Sequence, residues 1–184
     1  GMRVKSPSFR LLCDLWEAPG RWAGAATRPV VKAAMATGES LALLPGGFHE
    51  AVICARGRER VYVRRRRGFV KYCLQHGYRI CPVYTFGESD CYRTFTGLLR
   101  PRLWLADANV PACAMLGRPL CPVLPLAETR LLTFVGRPRE LPRIAEPTAD
   151  DVALWHGKYV AALQALFDEH KAEAGKPDAV LEIW

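Results

Sequence analysis

The densest chemical pattern in the chain is Pro45-Gly46-Gly47-Phe48-His49-Glu50, a glycine pair just ahead of a histidine and a carboxylate. It follows Leu41-Ala42-Leu43-Leu44, a compact apolar run bounded by turn residues, which reads as a buried strand. In open α/β sheets, sites form beyond the carboxyl ends of strands, and paired glycines let backbone N–H groups approach a ligand closely. Gly46 and Gly47 are therefore candidate binding residues, with His49 beside them, and Glu50 is a candidate for orienting a base or binding a substrate hydroxyl. The competing reading is a tight turn carrying a solvated glutamate. Glu88, in Phe86-Gly87-Glu88-Ser89-Asp90, also follows a strand and is expected either to face the same cleft or to sit exposed on a turn. Seven arginines fall between Arg56 and Arg67, ending in Arg64-Arg65-Arg66-Arg67. Guanidinium groups grip phosphate bidentately, although such runs usually end as solvated faces. Arg67, beside Gly68-Phe69 at a helix start, is the functional candidate; the other arginines are expected to serve as surface or headgroup contacts.

At 184 residues the chain is long enough for a proper core. Half its residues are apolar and 24% are charged, an ordinary globular composition. The net charge of +8 favours anionic partners. Only Tyr62 interleaves with the arginines, too few stacking platforms for a nucleic-acid surface. The seven cysteines are odd in number and contain no C-x-x-C pair, so neither a disulfide framework nor a metal site is expected. A reducing, cytosol-facing compartment is the simplest setting for them. No uncharged run exceeds ten residues, short of the ~20 that a bilayer span needs.

These groups must be positioned by short apolar runs alternating with helical stretches, the pattern of an α/β domain. Helices are expected over residues 25–37, 68–76 and 149–174, the last capped by Thr148. Strands are expected over 41–44, 61–63, 79–86, 131–135 and 179–184. Pro82 argues for an edge or a bulge within the third of these strands, 79–86. Residues 100–125 hold five prolines and read as an irregular excursion, a surface insertion or a membrane-facing loop. His156 and His170 share the apolar stripe of the last helix with Trp155, Tyr159 and Phe167, and read as core residues.

Three blocks together resemble the type-2 diacylglycerol acyltransferase family. They are Leu44-Pro45-Gly46-Gly47-Phe48-His49-Glu50-Ala51; Arg66-Arg67-Gly68-Phe69-Val70-Lys71 running on to Pro82-Val83-Tyr84-Thr85-Phe86-Gly87-Glu88; and Val135-Gly136-Arg137-Pro138 with Pro147-Thr148 and the final helix. The resemblance implies a glycerolipid-acyltransferase-like mixed sheet flanked by helices, with residues 1–184 forming the C-terminal part of one domain.

It also implies an acyl-CoA-dependent O-acyltransferase that moves a fatty acyl group onto diacylglycerol, monoacylglycerol or a long-chain alcohol. Acyl-CoA would be a co-substrate, with no resident cofactor or metal. The expected setting is the cytosolic face of the endoplasmic reticulum membrane, and lipid droplets. The family's H-P-H-G histidine is expected upstream: no H-P-H-G occurs here, and the histidines are His49, His76, His156 and His170. The resemblance gives Glu50 a supporting catalytic role and places Gly46, Gly47, His49, Arg67, Gly68, Phe69 and Glu88 around the substrates. The alternative is a catalytically inactive basic module that binds lipid surfaces.

Overall fold

The computed structural model describes residues 27–110 and 112–184. The chain divides into two compact units, Gly1–Leu43 and Leu44–Trp184. In the first, helix α1 (Arg28–Ala36) starts with a proline in its opening turn and stops at Gly38, whose φ of 78° is the left-handed conformation that ends helices.

The second unit is of the α/β class. Helix α2 (Gly47–Ile53) leads to strand β1 (Glu59–Val61) and helix α3 (Gly68–His76), which ends at the left-handed Gly77. Strand β2 (Val83–Phe86) runs into a 3-10 turn (Glu88–Asp90) and strand β3 (Arg93–Thr94). Helix α4 (Leu99–Asp107), strand β4 (Met115–Leu116) and strand β5 (Leu132–Val135) follow. Helix α5 (Ala149–His170) and strand β6 (Leu181–Ile183) complete the order.

Among the described residues the strands form three two-stranded ladders: β1 with β6, parallel, and β2 with β5 and β3 with β4, antiparallel. Helix α5 packs on the first two. Its Leu163, Leu166 and Phe167 meet Tyr84 and Phe86 of β2 and Leu181 of β6 in one buried cluster. The Phe86 and Phe167 rings stack at 5.1 Å, and Tyr84 meets Phe167 edge-on at 5.1 Å. Thr148 caps α5 as its sequence indicates: its hydroxyl accepts the Asp151 N–H, and Asp151 accepts the Thr148 N–H.

Three expectations are corrected. Residues 41–44 are not a strand; they have no ladder partner among the described residues, and Leu44 is exposed. The chain enters α2 directly from this segment. Strand 79–86 is shortened to Val83–Phe86 because Pro82, lacking an N–H, cannot donate to the ladder; it separates β2 from an isolated bridge between Ile80 and Arg139. The 100–125 excursion contains a helix. Pro101 lies in the first turn of α4, where its missing N–H would have no acceptor.

Candidate functional site

Helix α2 begins at the glycine pair, and each glycine answers a different constraint. Gly47 has φ of 58°, which side-chain-bearing residues rarely adopt. Gly46 has no room for a side chain: a Cβ there would lie 2.3 Å from Glu50 Oε2 and 2.5 Å from Glu50 Cβ. The Glu50 side chain thus folds back over Gly46, and its Oε2 accepts the Tyr62 N–H at 2.9 Å. Oε1 has no protein partner among the described residues. Burial raises the carboxyl pKa above its ordinary 4.5, and the Tyr62 hydrogen bond only partly opposes that rise.

Glu88 enters from β2 through Gly87, where φ is 93° and a Cβ would meet the Arg130 carbonyl oxygen at 2.2 Å. Its side chain is exposed. Partial desolvation of its carboxyl, then the charges of Glu50 and Glu59, raise its pKa. Tyr159 on α5 is shifted upward by burial and by Glu50, and Cys54 by burial and then by Glu88, Glu50 and Glu59. The Glu50 charge therefore acts on both Glu88 and Tyr159, which places these three groups in one electrostatic neighbourhood. No group of His, Cys, Asp and Glu able to hold a metal occurs among the described residues.

The Arg67-Gly68-Phe69 segment joins this neighbourhood through α5. Arg67 is exposed as the N-cap of α3, and Phe69 lies edge-on to Tyr159 at 5.2 Å and to His156 at 6.4 Å. His156 is buried, and its Nε2 faces the Val63 carbonyl at 3.0 Å. That contact requires an N–H, so the lone pair is on Nδ1. Burial lowers the His156 pKa, the Val63 bond opposes this, and the Arg67 charge adds to the lowering. Gly68 has open space where a Cβ would be, so no steric constraint demands glycine there.

His49 sits elsewhere. Its Nδ1 takes a 2.7 Å bond from Arg66, a pure donor, so Nε2 carries the proton and donates to Asp107 Oδ1 at 2.7 Å. The ring stacks on Tyr62 at 4.7 Å, and the Arg66 guanidinium lies over the same tyrosine at 5.3 Å. Both ring nitrogens are occupied, and the contact fastens α2 to α4. The arginine cluster separates by role. Arg60 bonds Glu182 at 2.8 Å and the Ile53 carbonyl at 3.2 Å, whereas Arg64 and Arg65 are exposed.

Behind the Glu50 neighbourhood lies a network that sequence patterning does not disclose. Buried Glu59 accepts from Tyr84 Oη at 2.7 Å, Ser89 Oγ at 3.2 Å and Lys176 Nζ at 2.5 Å, and Lys176 also reaches Asp90 at 2.5 Å. Trp155, Lys158 and Tyr159 of α5 line an open groove of about 610 Å³ with Ile80, Arg139 and Leu141. Tyr159 is common to this groove and to the surroundings of Glu50. Its position on the apolar stripe was the one available signal, and that signal equally described core packing.

The glycine pair with Glu50 at the start of α2 and Glu88 at the exit of β2 belong to one α/β unit. The family model described as diacylglycerol acyltransferase matches residues 27–184, and the chain belongs to this family. It is 34% identical over 159 residues to diacylglycerol O-acyltransferase 2 of Xenopus tropicalis, covering 80% of this chain and 44% of that protein. It is 34% identical to human 2-acylglycerol O-acyltransferase 3 (76% of this chain, 44% of that protein). It is 36% identical to mouse acyl-CoA wax alcohol acyltransferase 2, with the same coverage of each chain, 76% and 44%. The chain thus spans less than half the length of these curated relatives. No solved structure matches it.

Proposed function

We propose that this chain forms part of an acyl-CoA-dependent O-acyltransferase of neutral lipid synthesis, transferring a fatty acyl group to diacylglycerol or a related alcohol. Family membership supports the reaction class, and the names of the relatives support the choice of acceptors. The observation that carries the reading is Glu50, a half-buried carboxylate with one oxygen tied to Tyr62 and the other without a partner among the described residues.

In the reaction a hydroxyl oxygen attacks the thioester carbonyl, an ester forms, and the C–S bond breaks to release the CoA thiol. A base must take the hydroxyl proton as attack proceeds. Among the described residues no histidine hydrogen-bonds to Glu50, and His49 is fully engaged. The base is assigned to the H-P-H-G histidine that resemblance places outside this sequence. Glu50 then orients that imidazole, or holds the acceptor hydroxyl through Oε1. Arg67 supplies charge for the CoA phosphates. The setting proposed is the cytosolic face of the endoplasmic reticulum membrane and lipid droplets, with acyl-CoA as co-substrate and no resident cofactor. The exposed arginines Arg64 and Arg65 support association with anionic surfaces.

The test uses the full protein that contains this chain, with labelled acyl-CoA and diacylglycerol, monoacylglycerol or a long-chain alcohol in turn. Labelled ester with at least one acceptor is expected. Vesicle binding with no ester from any acceptor would leave only a basic lipid-binding module.

A further inference from the structure

Eight of the sixteen exposed large apolar side chains among the described residues fall within residues 95–124. They are not scattered through a loose loop. The segment closes on itself: Leu126 donates its N–H to Cys91, β3 pairs with β4, and Phe95 donates to Ala114. Helix α4 is locked into this lobe by the buried Arg102, which donates to the carbonyls of Phe95, Gly97 and Ala112 and, outside the lobe, to Val52 of α2. On this braced frame Trp104 is 69% exposed, Val123 82% and Leu120 fully exposed. Leu120 and Val123 ride on a tight loop in which Gly117 and Arg118 donate backbone N–H groups to the Pro122 and Leu124 carbonyls. An apolar surface held out by a rigid support needs a partner.

Charge indicates which partner. Residues 92–126 contain Arg93, Arg100, Arg102 and Arg118 but a single acid, Asp107, which is paired with His49. Arg93 stands opposite exposed Leu116 in the β3–β4 register. Exposed Arg64 and Arg65 line an open groove of about 480 Å³ together with Leu103 of α4, so the arginine run borders the lobe. A second copy of this chain would bring the same arginines against these, an unfavourable pairing. Tryptophan and aliphatic side chains rimmed by arginine match a bilayer interface, where rings and aliphatic groups enter the acyl boundary and guanidinium groups stay with phosphates.

We infer that the 93–124 lobe is a membrane-docking element that inserts Trp104, Leu120 and Val123 into an anionic bilayer surface while the bordering arginines hold headgroup phosphates. It requires no bilayer span, and no described helix is long and apolar enough to make one. The inference deepens the membrane association proposed above and rests on it.

The test is co-sedimentation of the full chain with phosphatidylcholine vesicles containing phosphatidylserine, for wild type, Leu120→Glu/Val123→Glu and the control Leu154→Glu, whose site is an exposed apolar position on α5. The double variant should lose about ten-fold or more in partition, and Leu154→Glu should match wild type, with all three sharing one thermal midpoint. Salt should weaken wild type only in part, because apolar insertion is not screened. Brominated-lipid quenching should be larger in wild type than in Trp104→Phe. Failure of wild type to bind at all would remove membrane association and this element together. Undiminished binding by the double variant, or equal quenching in Trp104→Phe, would overturn the docking element alone. A lipid-free oligomer that the double variant dissociates would show that a second copy covers the lobe instead.

Discussion

Gly46 has no room for a Cβ because the Glu50 side chain lies back across it, and that contact decides where the carboxylate points. The glycine pair is visible in the sequence as a turn signal; the fold-back is not, because it depends on the Tyr62 N–H, twelve residues away, donating to Glu50 Oε2. Glu50→Gln keeps shape and the acceptor for Tyr62 while removing charge. In the full enzyme kcat should fall about ten-fold or more. Stability should respond in the opposite direction. The native carboxyl has a raised pKa, so its ionisation costs stability as pH rises through 4.5 toward the native value, and the cost is complete above it. Glu50→Gln should therefore match or exceed the wild-type thermal midpoint at neutral pH, with any gain vanishing below pH 4.5. A normal kcat would leave Glu50 a structural residue of α2 that only holds the Tyr62 N–H. Gly46→Ala should separate the two effects: it must displace Glu50, so both kcat and the thermal midpoint should drop. Retention of both would show that the close approach is not required.

Helix α4 shows why some elements were legible and others not. The final helix declares itself through Thr148, an acidic first turn and a long apolar stripe, all local signals. Helix α4 has neither a side-chain cap nor a clear stripe, and the prolines of residues 100–125 suggest irregular chain. What makes it a helix is tertiary: Arg102 supplies donors to four backbone carbonyls drawn from both sides of the lobe and from α2. In sequence Arg102 cannot be told from its neighbour Arg100, which is exposed. The same limit explains residues 41–44, where composition reads as strand but a ladder needs a partner that composition does not supply. Arg102→Ala should cost about 2–4 kcal/mol in urea unfolding, because buried carbonyls lose charged donors, while Arg100→Ala should stay within about 0.5 kcal/mol. Equal, small effects would mean that the lobe is held by packing instead.

At the scale of the whole second unit, the pairing of β1 with β6 brings together segments far apart in the chain, and the Glu59–Lys176 pair spans 117 positions of sequence. No local pattern marks either residue: Glu59 precedes two ordinary strand positions, and Lys176 sits in a polar turn. Yet Glu59 is buried, and among the described residues Lys176 is its only cationic partner, also reaching Asp90. Lys176→Met keeps most of the stem's packing and removes the charge, leaving Glu59 to Tyr84 and Ser89 alone. The expected cost is about 2–4 kcal/mol, since breaking one side of a buried pair strands the other. The pH profile gives an independent check. Burial pulls the Lys176 pKa down, but the bonds to Asp90 and Glu59 outweigh it and leave the native value above 10.5. The stabilisation from this lysine is thus complete below pH 10.5 and is lost as pH climbs through the native pKa. Tyrosines also titrate in this range, so the quantity to measure is the difference in unfolding free energy between wild type and Lys176→Met across alkaline pH. That difference should be constant at neutral pH and close as the lysine deprotonates. A gap that persists at high pH would assign the loss to packing of the side chain, and the long-range ion pair would then hold nothing together.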